Sequence, residues 1–283
     1  MSTTSPTFNI DVIGEWSEPV EFEVTRERIQ QYAAATNDPI AQHTAGEYAS
    51  PVFAVVPAFG AAGQAAMKVI PPELLMMILH GEQDFHFRAP IVPGTKLTTR
   101  ARPIGMQPRS SGVTVVVQTE THDADGQLLN EQYWTTFVRG GQAPEGAGEG
   151  APPHRFDESL RTGEPDDTVT QTFDEDQTYR YAEASGDPMP IHTDDALAKS
   201  MGLPGIIIHG LCTMAFTSVA AIEHACPDDP QRLKRLAVRF AKTIQPGQTI
   251  TTRIYDAGTG AFAYETTSDD GAVVIKDGLA EVS

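Results

Sequence analysis

The sequence has few cysteines and few basic residues, and each shortage excludes a class of protein. Cys212 and Cys226 are the only thiols in 283 residues, too few for a disulfide framework or a cysteine-ligated zinc centre. Lysine and arginine number 20 against 38 acidic residues, which gives a formal charge of −18. Because such a chain repels nucleic acid and anionic membranes, we expect neither as a partner.

Long hydrophobic runs are also scarce. No stretch of the sequence reaches the roughly 18 consecutive apolar residues of a membrane span, and the first residues lack the basic and then apolar pattern of a secretory signal. We therefore expect a cytoplasmic protein. The hydrophobic content of 40% is ordinary for a folded chain, and the length allows two domains.

Three motifs occur twice along the chain, in the same order. Tyr32–His43 recurs as Tyr181–His192, Pro51–Pro57 as Pro204–Gly210, and Phe87–Gly94 as Phe240–Gly247. Repetition of this kind indicates duplicated structural units. A segment rich in Gly, Pro and Glu separates the copies and has the composition of a linker. We predict an N-terminal repeat over residues 1–139, a linker over 140–157 and a C-terminal repeat over 158–283.

Each copy predicts the same order of elements: a short helix, a polar loop, a long helix rich in small residues, and several strands. The predicted helices cover residues 25–36, 57–69, 174–185 and 211–223; the predicted strands cover 96–101, 112–121, 127–138, 249–255, 261–267 and 272–275. The strands follow one another without intervening helices, and Asp125-Gly126 is a hairpin signal. This pattern is typical of an α+β fold in which an antiparallel sheet wraps a helix.

Asp187 and His192 are the candidate catalytic pair. They lie five residues apart, with Pro188 and Pro190 stiffening the loop between them. A carboxylate and an imidazole at this spacing can act on one water molecule as acid and base. The structural alternative is that Asp187 caps a turn and His192 caps the helix that follows.

The stretch from Tyr181 to His192, followed by Gly205–Thr213, resembles the signature of the MaoC-like (R)-specific enoyl-CoA hydratases, the hydratase 2 family. Leu79–Gln83 and Arg239–Lys242 extend the resemblance over nearly the whole chain. It implies a double hot-dog fold and a lyase of fatty acid metabolism, which hydrates trans-2-enoyl-CoA reversibly to (R)-3-hydroxyacyl-CoA. It implies an acyl-CoA substrate, no metal and no further cofactor; a homodimer is compatible with it.

The chemistry of hydration assigns a role to each residue of the candidate site. His192 would accept a proton from water, and Asp187 would hold that water and return a proton to the substrate. The thioester oxygen gains negative charge as an enolate, which an N–H at a helix N-terminus stabilises. In the family that the chain resembles, the glycine at the position of Gly210 provides this N–H; close packing is the alternative reason for a glycine there. His209 is expected to be a structural hydrogen-bonding residue.

Substrate binding is expected from both copies. Ser218 is a candidate for contact with the acyl group, although a plain core serine fits the sequence equally well. The basic run of residues 232–242, which includes Arg239 and Lys242, is a candidate for the coenzyme A phosphates, or else a solvated amphipathic strand. Pro57 and the helix after it would line the acyl pocket.

The N-terminal copy keeps the aspartate–histidine spacing in Asp38 and His43. It has Pro57 where the C-terminal copy has Gly210, and proline has no N–H for an oxyanion. We therefore expect one site, in the C-terminal copy, although the sequence leaves a second site at Asp38 and His43 open. Other open functions are dehydration of (R)-3-hydroxyacyl groups on acyl carrier protein, a non-catalytic subunit that binds acyl thioesters, and thioester hydrolysis.

Overall fold

A computed structural model describes residues 7–283 as helices and antiparallel strands. The helices are α1 (Arg26–Ala35), α2 (Ala41–Thr44), α3 (Val55–Val69), α4 (Gln177–Ser185), α5 (Asp195–Ser200) and α6 (Gly210–Ala225). The strands are β1 (Val20–Glu23), β2 (Ile78–Phe87), β3 (Lys96–Arg109), β4 (Gly112–His122), β5 (Leu128–Arg139), β6 (Ala147–Gly148), β7 (Asp167–Thr172), β8 (Leu233–Phe240), β9 (Thr249–Gly258), β10 (Ala261–Ser268) and β11 (Val273–Val282). The predicted α+β class is confirmed.

The N-terminal unit contains the described residues up to Phe22, together with Pro57–His86 and Lys96–Pro153. Its strands lie in the order β1-β3-β4-β5-β2, and β6 pairs with β3. The three long strands β3, β4 and β5 are paired over most of their length, with a bulge between Pro103 and Gly105. On β5, Trp134 is buried and meets Phe59 of α3 at a ring distance of 6.2 Å.

The C-terminal unit contains Glu23–Val56, Phe87–Thr95 and His154–Ser283. Its strands lie in the order β8-β11-β10-β9-β7, all antiparallel to their neighbours. Helix α6 is buried from Leu211 to Ile222 and contacts the strands of this unit. Small side chains such as Ala215, Ala220 and Ala221 allow that close packing, as the sequence predicts.

The two units differ from the two sequence repeats, because α1 of the first repeat packs on α4 of the second. Tyr32 and Tyr181, which occupy equivalent places in the two copies, join these helices through hydroxyl groups 3.2 Å apart. Parts of the predicted linker are also packed: Ala147–Gly148 forms a strand, and His154 is buried with its Nδ1 2.8 Å from the Asp277 carbonyl oxygen.

Residues Pro51–Val69, which end in α3, form a helical stretch long and apolar enough to cross a membrane by length and composition. Of its most apolar window, 67% is buried inside the protein. Burial by protein is the ordinary state of a core helix and accounts for the apolar character of this one.

Candidate active site

The loop that carries Asp187 begins where α4 ends. Gly186 adopts the left-handed conformation at φ 75°, which turns the chain out of the helix. The Asp187 side chain then accepts a hydrogen bond from the Met189 N–H at 3.1 Å. Residues Pro190–His192 form a 3₁₀ turn, so the two prolines and the aspartate fix the path between the catalytic candidates.

His192 is 8% exposed, and its ring is held by one hydrogen bond. Its Nδ1 lies 2.8 Å from the carbonyl oxygen of Ile207. A carbonyl oxygen only accepts, so Nδ1 carries the hydrogen and Nε2 keeps its lone pair. Thr178 donates to the His192 carbonyl oxygen at 2.8 Å and holds the backbone as well. His192 is thus presented as a base.

Asp187, His192 and His209 lie together. One carboxylate oxygen and one nitrogen of each ring are all within 4.8 Å of one another. No direct hydrogen bond between the Asp187 and His192 side chains occurs in residues 7–283, and one water molecule can bridge such a gap. The two imidazoles are stacked, with centroids 3.6 Å apart and planes at 21°.

Burial moves the two catalytic candidates toward their uncharged forms. It raises the pKa of the Asp187 carboxyl above its ordinary value and lowers the pKa of His192; the attraction between the two groups opposes both shifts. Burial, together with the neighbouring His192, also lowers the pKa of His209 far below the ordinary value. Two neutral imidazoles beside a carboxyl of raised pKa are suited to proton transfer near neutral pH.

Gly210 is the first residue of α6, one residue earlier than the sequence predicts. An N–H in the first turn of a helix has no acceptor within that helix, and residues 7–283 supply no other acceptor for this one. The ring of Phe240 lies beside Gly210: a Cβ added there would be 3.2 Å from two of its carbon atoms. Space is therefore limited, which supports close packing as a reason for a glycine here; the oxyanion role of its N–H stays a prediction.

The remaining candidate residues occupy different settings. Ser218 is buried in α6 and donates to the Ala215 carbonyl oxygen at 2.7 Å. Arg239 lies on β8 with a guanidinium nitrogen 3.6 Å from the Asp277 carboxylate, whereas Lys242 is exposed just beyond that strand. Pro57 is buried in α3.

The aspartate–histidine pair of the N-terminal copy has a different geometry. His43 Nδ1 bonds directly to the Asp38 carboxylate at 2.7 Å, and both side chains are almost completely buried. The second carboxylate oxygen of Asp38 accepts the Ile40 N–H at 2.9 Å, the same local bond that Asp187 makes. The loop backbone makes the same hydrogen bond in both copies, but in the N-terminal copy the two side chains are also hydrogen-bonded to each other.

Sequence reasoning missed three groups that hold the site together. Thr178, Tyr181 and the Ile207 carbonyl oxygen were not singled out, yet Thr178 and Ile207 fix His192 and the Tyr181 ring contacts that of His209 at 4.8 Å. The one available signal was repetition, because Tyr181 matches Tyr32. A backbone carbonyl has no sequence signal.

Solved structures identify the fold as a double hot-dog. A MaoC-like dehydratase of Phytophthora capsici superposes with a TM-score of 0.86 and 26% identity, over 97% of this chain and 99% of that one. A conserved hypothetical protein of Mycobacterium tuberculosis, described as a double hot-dog fold, superposes with a TM-score of 0.56 and 12% identity, over 98% and 95% of the two chains.

Sequence comparison identifies the family. Residues 157–275 match the MaoC like domain, and residues 43–140 match the MFE-2 hydratase 2 N-terminal domain. A probable enoyl-CoA hydratase 2 of Dictyostelium discoideum is 29% identical, over 95% of this chain and 94% of that protein. The 3-hydroxyacyl-thioester dehydratase Y of Mycobacterium tuberculosis is 32% identical, over 95% and 96%. The chain belongs to the MaoC-like hydratase 2 family of lyases, as its motifs predict.

Proposed function

We infer that this protein adds water reversibly to trans-2-enoyl-CoA and forms (R)-3-hydroxyacyl-CoA. The observation that carries this proposal is the geometry around His192. Its Nδ1 is occupied by the Ile207 carbonyl oxygen, so Nε2 is left to act as base, and the Asp187 carboxyl lies within 4.8 Å of the imidazole group. Relatives named enoyl-CoA hydratase 2 support the same reaction.

In the proposed reaction, His192 takes one proton from water while the water oxygen bonds to C3 of the enoyl group. Asp187 holds the water and returns one proton to C2, so that the pair ends with the number of protons it had at the start. The lowered pKa of His192 keeps its imidazole able to accept, and the raised pKa of Asp187 makes its carboxyl a better carrier of the returned proton.

The enolate formed on the thioester oxygen needs a donor, and we assign that role to the Gly210 N–H. It begins α6 beside the catalytic loop, where the helix dipole adds to the effect of the donor. Arg239 and Lys242, near the end of β8, are proposed to bind the coenzyme A phosphates, Ser218 to contact the acyl group, and Pro57 to line the acyl pocket.

We assign one site to each chain. In the N-terminal copy, the direct bond between His43 and Asp38 uses the groups that would otherwise hold a water molecule. Pro57 cannot donate to an oxyanion. The proposed role of this copy is to form a wall of the acyl pocket.

The 3-hydroxyacyl-thioester dehydratase among the relatives favours a second candidate, the same reaction in reverse with the acyl group on acyl carrier protein. A hydration assay that follows the loss of enoyl absorbance, with short, medium and long chains on both carriers, tests the proposal. Faster turnover on coenzyme A supports it; turnover confined to acyl carrier protein favours the second candidate. Lack of turnover on either carrier contradicts both.

A further inference from the structure

His209 contacts more residues of the proposed active site than a residue that only caps a helix would contact. It is 2% exposed and immediately precedes Gly210 at the start of α6. Its Nε2 lies 3.4 Å from the Asp187 carbonyl oxygen, and its Nδ1 lies 3.3 Å from the Thr178 hydroxyl. Its ring covers one face of His192. One residue therefore touches the backbone of the proposed acid and the ring of the proposed base, and it is bonded to the proposed oxyanion donor along the chain.

A single hydrogen bond does not fix the orientation of an imidazole. The bond from His192 Nδ1 to the Ile207 carbonyl oxygen holds one edge of the ring, and the ring can still swing about that bond. Contact across the ring face removes this freedom, because the stacked partner at 3.6 Å blocks rotation out of the plane. The edge contact and the face contact together aim Nε2 in one direction.

The contacts of His209 fix its own ring in turn. The Asp187 carbonyl oxygen can only accept, so a bond to it places the ring hydrogen on Nε2. The Thr178 hydroxyl gives its one hydrogen to the His192 carbonyl oxygen, so the approach of Nδ1 to Thr178 at 3.3 Å is a packing contact. The Tyr181 ring packs against His209 at 4.8 Å, and the Tyr181 hydroxyl is anchored by Tyr32. His209 is thus held on several sides, as a rigid support must be.

We propose that His209 is a positioning residue whose stacked ring holds His192 in the orientation that its role as base requires. This inference rests on the proposed hydration reaction, but it concerns a residue that takes no part in proton transfer itself. The N-terminal copy supports it. Val56 occupies the place of His209 there, and in that copy His43 turns its Nδ1 to the aspartate instead of to a backbone carbonyl oxygen.

Replacement of the ring by a smaller or a flat side chain separates stacking from other effects. His209→Ala should lower kcat by about 10²-fold with little change in KM, since a misplaced catalytic group costs about that much. His209→Phe keeps a flat ring without its nitrogens and should restore most of the loss. The matched control is His224→Ala, which removes a histidine from the last turn of the same helix, where its ring contacts Phe262; kcat should be unchanged.

A second readout does not depend on turnover. The nuclear magnetic resonance shifts of the His192 ring nitrogens show which of them carries the proton. We expect one Nδ1–H form in the wild-type protein and in His209→Phe, and a mixture in His209→Ala. Full activity and a single form in His209→Ala would overturn the proposal, as would a His209→Phe protein as inactive as His209→Ala. If the wild type fails to hydrate enoyl thioesters, the proposed function fails, while the resonance experiment still tests the positioning.

Discussion

Replacement of Gly210 by proline tests the oxyanion donor directly, because the structure accommodates proline at this position. Gly210 is the first residue of α6, where proline is favoured. The preceding residue, His209, has φ −59° and ψ 135°, the extended conformation that a following proline requires. The N-terminal copy carries Pro57 within α3 at the equivalent place. Gly210→Pro should therefore keep the helix and lose the N–H, and the loss of this donor should cost about 2.7–4 kcal/mol in transition-state energy.

Gly210→Ala is the matched control for that substitution. Both variants add a Cβ 3.2 Å from Phe240, so both force the same small shift of that ring, but alanine keeps the N–H. Initial rates of enoyl-CoA hydration should be about 10²–10³-fold lower for proline and much closer to wild type for alanine, with similar melting temperatures. Equal loss of kcat in the two variants would refute the assignment and show that Gly210 is needed for space beside Phe240.

Three further predictions follow from the geometry and charge of the site. Asp187→Asn and His192→Ala should each lower kcat by about 10²–10⁴-fold, whereas Asp38→Asn should leave kcat within a few-fold of wild type if it folds; loss only in Asp38→Asn would move the site to the other copy. The acid limb of kcat/KM should have its midpoint below about pH 6.5, the ordinary pKa of histidine. Burial lowers the pKa of His192, so the base stays neutral in more acidic solution. A midpoint above that value would mean that the attraction of Asp187 raises the pKa of His192 more than burial lowers it. The pKa of His209 is also lowered on folding, so the unfolded chain binds more protons below about pH 6.5 and the free energy of unfolding falls there. The free energies of urea unfolding at pH 5 and pH 8 should differ less in His209→Phe than in wild type. An equal difference in the two proteins would show that His209 does not cause the loss of stability.

Much of the fold was predictable because its elements carry local signals. Alternation and β-branched residues predict β3, β4 and β5, and small residues predict α3 and α6. Strand β11 was predicted to end at Ile275 but continues to Val282. Its middle contains Asp277 at φ 52° followed by Gly278, a pair that resembles a turn in sequence and forms a bulge between Lys276 and Leu279 in the sheet.

The sequence predicted the reactive side chains of the candidate site but not the residues that hold them in place. Repetition of one motif pointed to Asp187 and His192, since a shared spacing is visible in sequence. The contacts that hold them come from residues distant along the chain. Thr178 lies 14 residues from His192, and Ile207 lies 15 residues from it. Only the folded chain brings such groups together, so sequence assigned His209 a structural role without showing what it supports.

The two copies show why an aspartate–histidine spacing alone does not define a catalytic pair. In both, the aspartate accepts an N–H two residues ahead, so the loop backbone is shared. The difference is the partner of the histidine Nδ1. Where that partner is Asp38, acid and base satisfy each other at 2.7 Å and are closed off from solvent. Where it is the Ile207 carbonyl oxygen, the Asp187 carboxyl and the His192 ring are not bonded to each other within residues 7–283, and this is the difference on which the proposed catalytic role of the second pair rests.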